Sequence, residues 1–114
     1  NKLVQLGTSS GIVSTGYTST SVAVSTSGGG AGFSSTAGFA LASTNAPDTI
    51  SGQIVITNIT GNSWVASGIN RITTTFVSTT TGDVTLGGTL DRVRITTTNG
   101  TDTFDAGSIN ILYE

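Results

Sequence analysis

The residues of this chain able to do chemistry are few, and what is missing narrows the choice sharply. There is no histidine and no cysteine among the 114 residues. A Ser-His-Asp or Cys-His arrangement therefore cannot be built, and neither can a thiolate metal site or a disulfide. Carboxylate pairs remain, Asp102 with Asp105 and Asp83 with Asp91. A glycosidase would need two such groups facing each other across a groove, one with a raised pKa. Asp102 and Asp105 instead flank a turn, where aspartate usually bonds its own backbone. Asn99, Thr101, Asp102 and Asp105 could offer oxygens to Ca²⁺, but their spacing is not that of an EF-hand loop. We expect no catalytic residue, no metal and no cofactor.

Binding chemistry is better represented. Arg92 and Arg94 fall on one face of an alternating segment, two of only four basic residues. They could form an ion-pair network with Asp91, Asp105 or Glu114, or hold acidic sugars by bidentate contacts. An aromatic ring offers sugars an apolar face, and Tyr adds a polar tip. Tyr17, between Gly16 and Thr18, reads as an exposed ring in a loop. Phe33, in a glycine-rich stretch, reads as a plug over the end of the fold or as a contact at its tip. Trp64, beside Val65, reads as core or subunit interface, and Tyr113 as core. The candidate binding residues are thus Tyr17, Phe33, Arg92, Arg94, Asn99 and Asp102.

Strands must position these groups. Ser and Thr make up about a third of the chain, and charged residues only 9%. Threonine favours pleated surface, and serine with glycine favours turns. Leu90 to Glu114 reads as a hairpin around which the rest is organised. Val93 and Ile95 alternate with Arg92, Arg94 and Thr96 in its first arm; Ile109, Ile111 and Tyr113 recur with period 2 in its second. Asn99-Gly100 supplies the turn. Lys2 to Leu6 is a short strand, and Thr18 to Ser25 alternates with Val22 and Val24 on one side. Ser27 to Thr36 reads as a flexible loop. Ile50 to Ile59 carries apolar residues on both faces, as a central strand does, and further strands follow at Ser63 to Gly68 and Arg71 to Thr79. No sustained 3.6-residue period marks a helix. Turn signals every eight to twelve residues predict one all-β domain over residues 1–114, an antiparallel β-sandwich of jelly-roll type. A net charge of −2 with four basic residues argues against nucleic acid. No apolar run is long enough for a membrane span, so no membrane insertion is expected.

The closing segment also carries a likeness. Thr89 to Glu114, T-L-D-R-V-R-I-T-T-T-N-G-T-D-T-F-D-A-G-S-I-N-I-L-Y-E, resembles the ending of a β-sandwich domain at the C-terminal ends of bacteriophage tail fibres and related virion-surface proteins. Looser likeness runs through Leu3 to Leu6, Gly16 to Thr18, Gly38-Phe39, Gly52 to Ile56 and Asn62 to Gly68. The resemblance implies a non-enzymatic virion component, a homotrimer touching a host cell-surface glycan or protein. It also implies one or two strands ahead of the equivalent of Lys2, which this chain would lack or take from elsewhere. Two other readings fit the composition: a capsid or baseplate decoration protein that recognises no host, and a bacterial extracellular adhesin or carbohydrate-binding module.

Overall fold

In a computed structural model describing residues 1–114, the chain forms nine strands and no helix. They are β1 (Lys2–Thr8), β2 (Gly11–Ile12), β3 (Thr18–Ser25), β4 (Gly30–Ser35), β5 (Phe39–Leu41), β6 (Ile50–Thr60), β7 (Ser63–Ile72), β8 (Phe76–Thr85) and β9 (Arg92–Thr97). Two antiparallel sheets result. The larger runs β4-β3-β8-β7-β6, and in the smaller β1 is flanked by β9 on one edge and by β5 and β2 on the other. The all-β, two-sheet, sandwich-like expectation holds.

The organising strand is β1, not the C-terminal hairpin. From Leu3 to Thr8 every residue of β1 is buried, so both of its faces are covered. Val4 and Leu6 point into the main core with Tyr17, Phe39, Ala66, Val84 and Leu86. Leu3, Gln5 and Gly7 line the other face, opposite Thr96, Arg94 and Arg92 of β9. By contrast β6, expected to be central, is the outer strand of the large sheet, and most of it is exposed. Its apolar residues on two faces reflect one face turned to the core, through Ile54 and Ile56, and one left in water, at Val55 and Ile59.

The first arm of the expected hairpin forms as β9, but the second does not form. No strand follows Thr97, and no backbone-to-backbone hydrogen bond involves a residue beyond Gly100. Ile109, Ile111 and Tyr113 are exposed, Tyr113 at 92%. Alternation makes a segment competent to be a strand, but a strand also needs a ladder partner and a face to cover. The Asn99-Gly100 turn itself is present, with Gly100 at φ 70° and its N–H on the Thr97 carbonyl at 3.1 Å. The stretch from Ser27 to Thr36, expected as a loop, contains β4, which pairs with β3 from Ser19↔Ser35 to Val24↔Gly30. Its glycines suit an outermost strand whose partner backbone lies close, since a Cβ on Gly30 would sit 2.9 Å from the Ala23 carbonyl oxygen.

Tyr17 is not an exposed loop ring. It is 2% exposed and stands edge-on to Phe39, with centroids 5.1 Å apart and planes at 89°. Its hydroxyl accepts the Leu6 N–H at 2.7 Å and donates to the Val13 carbonyl at 3.1 Å. The flanking glycine and threonine suggested a loop; they lead instead into β3 with the ring folded beneath.

Polar side chains join the two sheets. In β3 the alternation is inverted relative to hydropathy: Ser19, Ser21 and Ala23 face inward and Val22 and Val24 face water. The inward hydroxyls meet the backbone edge of β5. Ala40 N–H donates to Ser19 Oγ at 2.9 Å and Ala42 N–H to Ser21 Oγ at 3.1 Å. Thr80 Oγ1, from β8, donates to the Ala40 carbonyl at 2.8 Å and lies 2.9 Å from Ser21 Oγ. A buried strand edge must satisfy its amides and carbonyls, and side chains of the opposite sheet do so here. Within the large sheet, Gly82 lets β8 lie close against β3, because a Cβ there would sit 2.7 Å from the Thr18 carbonyl oxygen and 2.8 Å from Ser19 Cβ.

Thr80→Val keeps the shape and deletes the shared hydroxyl. It should cost about 1–3 kcal/mol in urea unfolding, the usual penalty for a buried group left unpaired. Thr79→Val, on the exposed side of the same strand, should stay within about 0.5 kcal/mol.

Candidate functional site

Five chain segments converge at one end of the molecule. β5 runs in the same direction as β3, because Ala40 bonds Ser19 and Ala42 bonds Ser21. The connection after β5 therefore emerges beside the β3–β4 turn. Lys2 pairs with both Leu41 and Thr97, which brings the chain start and the exit from β9 to the same end. The β7–β8 turn closes the set, since Ile72 and Phe76 pair there and Phe76 also faces Ser25.

Hydrogen bonds stitch these segments pairwise. Thr26 N–H donates to the Thr75 carbonyl at 2.9 Å, Thr73 N–H to the Thr49 carbonyl at 2.9 Å, and Thr98 N–H to the Asn1 carbonyl at 3.2 Å. Ser43 N–H donates to Asn1 Oδ1 at 3.0 Å. Asp48 holds the β5–β6 connection, one carboxylate oxygen accepting from Thr44 N–H, the Thr44 hydroxyl and Asn45 N–H at 2.6, 2.7 and 2.7 Å. Desolvation pushes the Asp48 carboxyl up, but these donors, with Lys2 nearby, outweigh it and hold the group below its ordinary value.

Two features mark this end as more than a set of turns. A groove of about 250 Å³ is lined by Val24, Ser25, Thr26, Thr74, Thr75, Phe76 and Val77. Beside it, Thr73 has a φ of 51°, the single positive value at a residue other than glycine. A β-branched residue is a true outlier there, and such strain is held only where neighbours impose it. The Thr49 carbonyl on its N–H and the pairing of Ile72 with Phe76 supply that restraint.

The sequence-derived candidates do not form one site. Asn99 and Asp102 belong to the loop end. Asn99 Oδ1 accepts from the Thr97 hydroxyl at 2.9 Å and from the Thr101 and Asp102 amides at 3.1 Å each, the turn role rather than a free ligand. Arg92 lies at the other end of β9, opposite Gly7, and pairs with Asp91 at 2.7 Å on the surface of the same chain. That hydrogen bond and charge raise Arg92 and lower Asp91 from their ordinary values. Arg94 is midway, where its Nε and Nη2 both donate to Gln5 Oε1 at 2.9 and 2.6 Å. Phe33 sits in β4 opposite Ser21, half-buried, and not at a loop tip. Tyr17 is core and leaves the set. Trp64 is half-buried against the main core, with a buried indole N–H that has no partner.

Sequence reasoning missed the Thr73–Thr75 turn, which it had placed inside a strand. Three consecutive threonines carry no turn signature, so no pattern in the chain announced it. It also missed the outward face of the large sheet, where Val22, Val24, Val55, Ile69 and Val77 are all more than 40% exposed. A second shallow groove, of about 320 Å³, crosses that face between Gln53, Val55, Ser67, Ile69 and Thr79. Compared with known proteins, the chain matches no family model, and neither curated proteins nor solved structures give a significant match.

Asp48→Ala should destabilise the chain by about 1 kcal/mol at neutral pH, discounted for the partial exposure of the site. Because folding depresses this carboxyl, its contribution is present above about pH 4 and fades as pH falls through the lower folded value. The gap between wild type and variant should therefore close in acid. Burial raises the Tyr17 phenol despite the Leu6 amide and Arg94. Its contribution should thus hold below about pH 10 and disappear as pH rises through the folded value. Chemical denaturation of the wild type and of Tyr17→Phe across that range tests this, the two curves converging in alkali.

Proposed function

We propose that this chain is an external virion module, the C-terminal domain of a phage tail fibre, whose loop end contacts a glycan or protein on the host surface. The observation that carries the reading is the loop end itself: a mostly apolar groove, floored by Val24, Phe76 and Val77 between threonine-rich turns and lying beside a strained turn, on a body braced by the clasp between its sheets. Recognition on loops held by a rigid scaffold is a common division of labour. The closing sequence, Thr89 to Glu114, supports the virion assignment by its likeness to tail-fibre endings. Lack of histidine and cysteine favours binding over catalysis in this reading.

A jelly-roll arrangement and a homotrimer complete the proposal. The outward face of the large sheet suits contact between copies, because Val24 pairs with Val77 and Thr79 with both Val22 and Ile69 in a nearly uncharged surface. Binding by each copy would be weak and strengthened by several acting together on the virion. The same apolar face also suits a decoration protein that cements neighbouring subunits and touches no host, so the two readings part at cell binding.

Labelled protein applied to a panel of bacterial cells and purified surface glycans tests the proposal. Thr26→Arg and Thr74→Arg place a bulky charge in the groove from exposed positions. They should weaken binding about tenfold or more, an effect of at least 1.4 kcal/mol, while melting is unchanged. Ser9→Arg, at the opposite end, should have no effect. Binding that survives both groove variants would move recognition elsewhere, and no binding to any cell or glycan would favour the cementing role.

A further inference from the structure

The smaller sheet ends in an open edge at β9, which pairs with β1 on one side only. This edge lies on the opposite side of β1 from β5, and β5 is the strand clasped to β3 and β8. One side of the molecule is therefore closed by hydroxyls, and on the other β9 and β6 both end their sheets. An unpaired edge presents a row of free amides and carbonyls ready to take another strand.

The same chain carries an unused strand. Ser108 to Glu114 has period-2 apolar residues, yet Ile109 is 67%, Ile111 60%, Leu112 89% and Tyr113 92% exposed. Removing such side chains from water would favour any association that covers them. The Asn99 turn is complete without this segment, because all its bonds fall between Thr97 and Asp102.

The pattern of the segment matches the β9 edge in one antiparallel register. Setting Ile111 opposite Ile95 places Tyr113 opposite Val93, both on the face turned to the core. The other face then carries Leu112 beside Arg94 and Glu114 beside Arg92. On the core side Ile111 and Tyr113 meet Ile95 and Val93, and on the other the Glu114 side-chain carboxylate comes beside the Arg92 guanidinium, which also holds Asp91. Shifting the register by one residue would turn Ile109, Ile111 and Tyr113 to the opposite face. Val93 is 39% exposed without such a neighbour.

We propose that Ser108–Glu114 of one copy adds as a strand to the β9 edge of a second copy, so that the protein self-associates by strand addition. This goes beyond the receptor reading and does not depend on it. Groove variants that abolish cell binding without changing molar mass would leave this inference standing.

The test uses residues 1–114 together. Light scattering on a sizing column should give a mass of two or more chains of 11.4 kDa, and removal of residues 108–114 should lower it. Because the chain has no cysteine, engineered thiols report cleanly. Thr96→Cys and Asn110→Cys lie opposite each other in the proposed register. Mixed single variants should oxidise to a covalent dimer containing one of each. A single-chain mass for the wild type, or a mass unchanged by the truncation, would overturn the proposal. So would a disulfide formed within one chain carrying both substitutions, because the segment would then close its own edge.

Discussion

The structure depends on a short row of hydroxyls. Ser19, Ser21 and Thr80 satisfy the edge of β5 from across the sheet gap, turning what would be an exposed or unpaired edge into a seam. Each bond has modest net worth, but leaving its partner unpaired in a dry interior costs more than the bond supplies. A core this small gains specificity from the arrangement. Apolar packing alone would let β5 slide along β3, whereas Ala40 on Ser19 and Ala42 on Ser21 set one alignment. That alignment also brings the β5–β6 connection beside the β3–β4 turn, so the seam assembles the loop end.

The clasp explains both what could be read from the sequence and what could not. Strand competence was legible: β3 begins and ends where its alternation does, and the faces of β9 divide as Val93 and Ile95 against Arg92 and Arg94. Facing was not always legible. In β3 the valines face water and the serines face the core, because inward hydroxyls had a backbone edge to satisfy, which no local pattern reveals. Tyr17 misled for a related reason. Its ring is sealed by Phe39 and its hydroxyl by Leu6 and Val13, partners that become neighbours only through β1.

The candidate site was half legible. Asn99-Gly100 marked a turn that exists, but nothing local said that it would lie at the same end as Asp48 and Thr73. The position of Ile109 to Tyr113 is the sharpest divergence. Their pattern is that of a strand, and the chain offers them no place in its own fold. Segment and open edge carry complementary patterns, which turns the mismatch within one chain into a physical reason for contact between chains. An outward sheet face with five exposed aliphatic side chains adds surface of the same character.

The central claim is that side-chain hydroxyls of the large sheet hold β5 in place and thereby brace the loop end. Amide hydrogen exchange at Ala40 and Ala42 tests it directly, because both N–H groups donate to serine hydroxyls and not to a neighbouring strand. The account predicts exchange as slow as that of the β1 amides, at the rate of global unfolding. It also predicts that Ser19→Ala and Ser21→Ala release Ala40 and Ala42 respectively. Rapid exchange of both amides in the wild type, at rates typical of the surface turns, would contradict it.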